Sequence, residues 1–146
     1  MGTTITMMNN APLGVKLIWI NQALGVSGLL LAAFDKPRAI IVGPWILPIV
    51  LSNIYLGVML VSQGFIVFDL LKFKRSAWQL LIFVELVGLL YLAANVFISP
   101  AMLDHLNKTT ALNISLNIYR LALLPAIILQ LIILIYIFNK RHLFRN

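Results

Sequence analysis

The sequence predicts an all-α integral membrane protein, folded as a bundle of four transmembrane helices. Of its 146 residues, 62% are hydrophobic and only 10% are charged, and the mean hydropathy is +1.01. Water-soluble domains average about 45–50% apolar and about 25% charged residues. A chain this short has too much surface for its volume to hide so many apolar side chains from water. Several of its apolar runs also reach the roughly 18 residues that mark a membrane-spanning helix.

The apolar runs predict four spans within a single transmembrane domain, residues 1–146. The first span ends at a D-K-P-R turn, residues 35–38. The uncharged stretch that follows is too long for one untilted span. Pro44 and Pro48 divide it, because proline breaks a helix. The predicted segments are the spans 13–34, 48–71, 76–98 and 116–138, an interfacial lead-in at 39–47 anchored by Trp45, and an outer loop at 99–115.

The basic residues predict that both termini lie in the cytoplasm. With four spans, the termini and the turn between the second and third spans share one side of the membrane. That side carries seven basic residues and the other side carries four. Because Lys and Arg are enriched on the cytoplasmic side, we predict a multi-pass protein of the cell membrane with both termini inside. The seven are Lys16, Lys72, Lys74, Arg75, Lys140, Arg141 and Arg145, and the four are Lys36, Arg38, Lys108 and Arg120.

One carboxylate, Glu85, lies in the middle of the third span. It is nine residues past Ser76. At 1.5 Å per residue that is roughly 13–14 Å, close to the midplane of a hydrocarbon core about 30 Å thick. The other three spans place side-chain amides at a similar depth. The sequence therefore predicts an intramembrane polar cluster composed of Glu85, Asn21, Gln22, Gln63 and Gln130.

Two interpretations of this cluster remain open. In the first, Glu85 carries a proton or binds a cation or cationic substrate, since an ionisable residue inside a membrane is a functional candidate by default. In the second, Glu85 is protonated or is hydrogen-bonded by Gln22, Gln63 or Gln130, and it fastens the helices together. A lone carboxylate without a second ionisable group at its depth makes a poor proton relay. The sequence therefore favours the structural interpretation.

A second polar layer is predicted near the outer face of the membrane. Its one basic member, Arg120, is long enough to reach outward from the fourth span. We expect Arg120 to contact lipid headgroups or to pair with Asp104. A ligand or quinone pocket in this layer has no further support in the sequence. The layer consists of Asn53, Tyr55, Asn95, Asn117, Tyr119 and Arg120.

No pattern in the sequence predicts catalysis, a cofactor or a metal site. The chain has no cysteine, which excludes disulfides and thiolate ligands. His105 and His142 stand alone, without the spacing of a metal site. There is no nucleophile with a base nearby, no glycine-rich phosphate loop and no H-E-x-x-H sequence. We therefore predict that the protein is not an enzyme.

The two halves of the chain carry a weak repeat. Asn-Ile-Tyr occurs near the start of the second span (53–55) and of the fourth (117–119), and each of these spans has one later glutamine. The first and third spans both begin near a tryptophan and contain Gly-Leu-Leu. A duplicated helical hairpin, with its halves related by an axis along the membrane normal, explains the match. Convergence of two interfacial tyrosine belts explains it equally well.

Two segments carry a resemblance to a known group of proteins. The opening, APLGVKLIWINQALGVSGLLL, has a P-L-G-V sequence, and the centre, DLLKFKRSAWQLL, has a K-R-x-A-W turn. Together they resemble small prokaryotic four-helix membrane proteins that are grouped loosely with DoxX-like proteins. The resemblance covers roughly the first 80 residues. It implies a four-helix membrane bundle and assigns no catalytic residue.

These observations predict a non-catalytic accessory or structural subunit of a larger membrane protein complex. The main alternative is a small oligomeric proton-coupled transporter or channel that uses Glu85. A second alternative is a lipid- or quinone-binding component of a respiratory chain. The predicted partners are the lipid bilayer and either other membrane subunits or further copies of the chain. Nucleic acid is not among them, because the basic residues behind the net charge of +7 lie at the ends of apolar runs, where they meet lipid headgroups.

Overall fold

Four long helices make up most of the described protein. The computed structural model describes residues 11–34, 40–110 and 113–144. Within these ranges, four helices are long and apolar enough to cross a membrane, which confirms the predicted membrane helices. Their ends agree with the predicted spans to within two residues. In chain order the elements are α1 (Leu13–Phe34), β1 (Ile41–Val42), β2 (Trp45–Ile46), α2 (Ile49–Asp69), a 3-10 turn (Leu70–Lys72), α3 (Arg75–Val96), α4 (Pro100–Thr110), α5 (Leu116–Asn139) and a second 3-10 turn (Arg141–Leu143).

The long helices pack as a bundle around aliphatic side chains. Helix α1 lies on α2, α2 lies on α3, and α3 lies on α5. The largest fully buried side chains between them include Ile66, Leu81 and Ile137. These isoleucine and leucine side chains make dispersion contacts with their neighbours. Contacts of this kind hold membrane helices together, because no water is displaced when such helices meet.

The outer surface of the bundle is apolar on all four long helices. Leu13 on α1, Phe68 on α2, Leu90 on α3 and Leu121 on α5 are each at least 67% exposed. In water such a surface would aggregate, whereas in a bilayer it is matched by lipid chains. The exposed faces are therefore in keeping with contact between this chain and a lipid bilayer.

One end of the bundle, here called the basic end, contains the turn between α2 and α3. Asp69 accepts hydrogen bonds from Lys72 and Lys74, each at 3.0 Å. Phe73 follows with a left-handed backbone, φ 54°. Its ring lies 5.7 Å from that of Phe144, so the segment after α5 packs on the α2–α3 turn. The C-terminal segment and this turn therefore lie at the same end of the bundle.

At the opposite end, the lead-in to the second span is a β-hairpin. Strands β1 and β2 pair antiparallel, with Ile41 opposite Ile46 and Val42 opposite Trp45. The all-α prediction is therefore wrong for residues 41–46. Isoleucine and valine favour extended backbone, and the Gly-Pro turn between the strands ends any helix. Trp45 is 67% exposed, which suits an interfacial anchor.

The hairpin is fixed to the bundle through Gly43. This glycine has φ +59°, and a Cβ atom on it would lie 2.7 Å from the carbonyl oxygen of Ala94. Its backbone N–H donates to Oδ1 of Asn95 at 3.4 Å. Asn95 is buried and also donates from Nδ2 to the Tyr91 carbonyl at 2.9 Å. Only glycine fits this turn, so the C-terminal end of α3 and the hairpin are held in one arrangement.

Residues 100–110 form a helix, α4, within the segment predicted as the outer loop. Ser99 accepts a hydrogen bond at Oγ from the N–H of Met102 at 3.2 Å, and Pro100 occupies the first helical position, where proline is favoured. Leu103 is buried against Ile41 and Ile98. The loop prediction is therefore wrong for these residues, because the Ser-Pro start and the spaced apolar residues already encode a short amphipathic helix.

Several predicted features lie outside the described residues. They are the D-K-P-R turn at 35–38, residue 39 of the lead-in, residues 111 and 112 of the outer segment, and Arg145.

Candidate functional site

Glu85 is buried at the middle of α3. It is the eleventh of the 22 residues of this helix, and only 2% of its surface is exposed. The side-chain Nε2 of Gln22 donates a hydrogen bond to Oε1 of Glu85 at 2.7 Å. Gln22 is also buried, with 3% exposed. This short bond joins α1 to α3 and gives the carboxyl group one firm donor.

A second amide reaches the same residue from α5. Nε2 of Gln130 donates to the backbone carbonyl oxygen of Glu85 at 3.2 Å. A Cβ atom on Gly88 would collide with that amide. The absence of a side chain at Gly88 therefore lets Gln130 lie against α3.

The glutamine of α2, Gln63, likewise packs against a glycine of α1. A Cβ atom on Gly25 would lie 2.7 Å from Oε1 of Gln63. Gly25 follows Gln22 by three residues, and Gly88 follows Glu85 by three. A polar residue on the first helix of each pair is thus followed, one turn later, by a glycine that receives a glutamine from the second helix.

The five predicted midplane residues surround one cavity, here called the chamber. Its volume is about 240 Å³, and all four long helices contribute to its wall. The structure therefore brings the whole predicted midplane cluster together. Among the described residues of the wall none is basic. They are Asn21, Gln22, Met59, Gln63, Val84, Glu85, Gly88, Ala126, Leu129, Gln130 and Ile133.

Two amide oxygens of the chamber residues are left without a donor. Oε1 of Gln22 and Oε1 of Gln63 are buried and accept no hydrogen bond from the described part of the chain. A buried acceptor without a partner costs about 1–3 kcal/mol. These two oxygens are therefore acceptors that the described residues leave unused.

A second, apolar cavity opens between α1 and α5 and is here called the lateral cleft. Its volume is about 440 Å³. It shares Asn21, Leu129 and Ile133 with the chamber wall. At its basic end, the ring of Tyr136 lies so close to Gly14 that a Cβ atom there would collide with it. The remaining residues of its wall are Leu17, Ile18 and Ile132.

Two members of the predicted outer layer, Tyr55 and Asn95, both contact Tyr91. Asn95 is used in fixing the hairpin, as described above. Tyr55 stacks on Tyr91, with ring centroids 6.4 Å apart. Tyr119 packs on the small apolar cluster under α4. Asn53 and Asn117 are exposed.

The expected pairing of Arg120 with Asp104 is wrong. Nε of Arg120 donates to the carbonyl oxygen of Val96 at 3.0 Å. Asp104 instead forms an ion pair of 2.8 Å with Lys108, four residues later on α4. That spacing places the two charges on one face of a helix, so the local partner is reached first.

Sequence reasoning missed the two tryptophans that connect the helices. The indole N–H of Trp19 donates to the Val67 carbonyl at 2.8 Å, and that of Trp78 donates to the Ile137 carbonyl at 3.2 Å. Each bond joins the two helices of one pair, α1–α2 or α3–α5. The matched positions of the tryptophans near the span starts were visible in the sequence. The sequence did not show that these tryptophans point into the bundle, because a tryptophan near a span end usually faces the membrane interface.

The chamber supports hydrogen bonding and proton exchange, and its wall residues offer little else. The described residues contain no group of three or more histidine, cysteine, aspartate or glutamate side chains able to hold a metal ion. The polar groups of the wall are one carboxyl and four amides. Such a set binds a molecule by its hydrogen bonds and charge.

The chain matches no protein-family model, no curated protein and no solved structure. The resemblance to DoxX-like membrane proteins therefore stays a prediction.

Proposed function

We propose that the chain is a non-catalytic integral membrane protein that binds a small amphipathic molecule in the chamber around Glu85. The observation that carries the proposal is a buried carboxyl group, Glu85, in the wall of a chamber that shares three lining residues with an apolar cleft open at the side of the bundle. Among the functions predicted from the sequence, this is closest to the lipid- or quinone-binding alternative.

The size of the chamber favours binding over a purely structural role for Glu85. A carboxyl group that only holds helices together needs hydrogen-bond partners, but it needs no cavity beside it. The chamber has about 240 Å³, whereas one water occupies roughly 30 Å³ of liquid. Gln22 and Gln63 also have oxygens that accept no hydrogen bond from the described residues. Space and unused acceptors at one position are the properties of a site that receives another molecule.

Asn21 favours a second candidate, the accessory or structural subunit predicted from the sequence. This residue is exposed near the middle of α1, where the neighbouring lipid offers no hydrogen-bond partner. A helix of another membrane subunit, or of a second copy of the chain, would supply one. The same exposed amide also lines the lateral cleft, so an entering molecule could satisfy it instead.

Extraction in a mild detergent followed by native mass spectrometry separates the two candidates. A binding protein should retain a small-molecule adduct, and the Glu85→Gln and Gln22→Leu variants should lose it. Asp104→Asn changes an exposed carboxylate on α4 and serves as the matched control. Recovery of other protein chains with wild type, and of no adduct, would instead support the accessory subunit.

The proposed location is the cell membrane, with the basic end in the cytoplasm. The support is the distribution of charge: Lys72, Lys74, Lys140 and Arg141 all lie at the basic end. Cytoplasmic loops are enriched in such residues.

A further inference from the structure

We infer that the molecule bound in the chamber is a lipophilic primary ammonium, whose head lies against Glu85 and whose tail lies in the lateral cleft. This inference rests on the proposed binding function and adds the chemical class of the ligand and its path of entry.

The described wall of the chamber supplies Glu85 with no positive charge. Glu85 is buried, and none of the described wall residues of the chamber is basic. The nearest basic residue along its own helix, Arg75, is ten residues away, about 15 Å along the axis. A carboxylate inside a membrane must be neutralised by a proton or by a cation. A ligand that carries its own positive charge supplies what the wall lacks.

Two amide oxygens at the chamber are acceptors without a partner. Oε1 of Gln22 and Oε1 of Gln63 are buried and accept no hydrogen bond from the described residues. The terminal torsion of a glutamine is soft, and Gln63 lines the chamber, so a rotation of its amide turns its oxygen toward a bound donor. A primary ammonium has three N–H donors for these two oxygens and the carboxyl of Glu85. The carbonyl groups of an oxidised quinone only accept hydrogen bonds and would give neither glutamine oxygen a donor, which favours an ammonium over a quinone.

The chamber and the lateral cleft adjoin each other. The lateral cleft is walled almost entirely by apolar side chains and shares Asn21, Leu129 and Ile133 with the chamber wall. Its volume of about 440 Å³ falls within the roughly 300–1,000 Å³ of small-molecule sites. A charged head alone would leave this space unfilled. A head with an alkyl tail matches the polar chamber and the apolar cleft together.

The test is a titration of the purified chain in lipid nanodiscs with four probes that share one alkyl tail. Dodecylamine has charge and donors, dodecanol has one donor and no charge, dodecyltrimethylammonium has charge and no N–H donor, and dodecanoic acid has the wrong charge. Empty nanodiscs give the background of partitioning into lipid. We expect dodecylamine to bind at least about tenfold more tightly than the other three, the effect of hydrogen bonds to a charged group.

Variants locate the head and the tail. Glu85→Gln should weaken dodecylamine binding about tenfold or more, and Gln22→Leu by a smaller factor, while Asp104→Asn and the exposed Gln79→Leu should leave it unchanged. Ile132→Trp should block binding by filling the lateral cleft. Ile135→Trp is its matched control, since Ile135 is exposed on the same helix and does not line the cleft. Circular dichroism confirms that each variant keeps its helices.

The possible outcomes distinguish failure of the ligand class from failure of the binding site. Equal binding of dodecanol and dodecylamine, sensitive to Ile132→Trp, overturns the ammonium class and leaves the binding site standing. Dodecylamine binding that resists both Glu85→Gln and Gln22→Leu overturns the assigned head position. If none of the four probes binds above the lipid background, both the ligand class and the proposed function fail.

Discussion

Gln22 and Glu85 form a hydrogen bond of 2.7 Å in the interior of the bundle and join α1 to α3. Each is followed by a glycine three residues later, Gly25 or Gly88, and each of these glycines receives a glutamine from the paired helix. The two residues at the centre therefore occupy equivalent places in two helix pairs. This geometry favours the duplicated hairpin, which we retain as a proposal.

The first prediction concerns the bond itself. Gln22→Leu and Glu85→Leu should each lower the free energy of unfolding by about 1–3 kcal/mol, because each leaves a buried polar partner. The double variant should lose less than the sum of the two, since no partner remains. Thermal unfolding in detergent measures the four proteins of this cycle. Strict additivity would show that the two side chains do not interact.

The second prediction concerns the glycines that receive the glutamines. Gly25→Ala and Gly88→Ala should destabilise the bundle by up to about 1 kcal/mol, because the new methyl group displaces the amide of Gln63 or Gln130 from its place. Gly28→Ala is the matched control, since nothing lies within 4 Å of its added Cβ. It should stabilise α1 by up to about 1 kcal/mol. Opposite signs of the change in melting temperature are the expected result, and equal signs would contradict the packing described.

The third prediction concerns the turn of the β-hairpin. Gly43→Ala should cost at least about 1–2 kcal/mol, because its backbone is left-handed and its new Cβ would meet the carbonyl of Ala94. Gly57→Ala, in the open on α2, should instead stabilise that helix by up to about 1 kcal/mol, like Gly28→Ala. Proteolysis of the β1–β2 region reports whether the hairpin has separated from α3. An undisturbed hairpin in Gly43→Ala would refute the close approach.

The fourth prediction concerns orientation. The chain has no cysteine, so a single introduced thiol is the only one to react. A membrane-impermeant maleimide should label Asp104→Cys on α4 in intact cells. It should label Lys74→Cys at the basic end only after the cells are permeabilised. The reverse pattern would place the basic end outside.

The sequence predicts the four long helices well because their signal is length and apolarity, which local composition determines. It also predicts that Glu85 and the four amides lie at one level of the bundle, since position along a helix follows from counting residues, and all five line one cavity. The hairpin at 41–46 and the helix α4 were missed because a few polar and proline residues there suggest a loop. The partner of Asp104 could not be predicted in the same way. Its pairing with Lys108 instead of Arg120 depends on the directions of the side chains, which counting residues does not give.

The contact between Tyr136 and Gly14 gives the lateral cleft a floor. From Asn21 at the chamber to Gly14 is seven residues of α1, or about 10 Å. A cleft that is closed at one end limits the length of the tail that it can hold. Each methylene added to a tail should strengthen binding by up to about 0.8 kcal/mol until the tail meets the tyrosine ring, and longer tails should gain nothing more. The tyrosine would then act as a molecular ruler, selecting ligands by chain length while Glu85 selects them by head group.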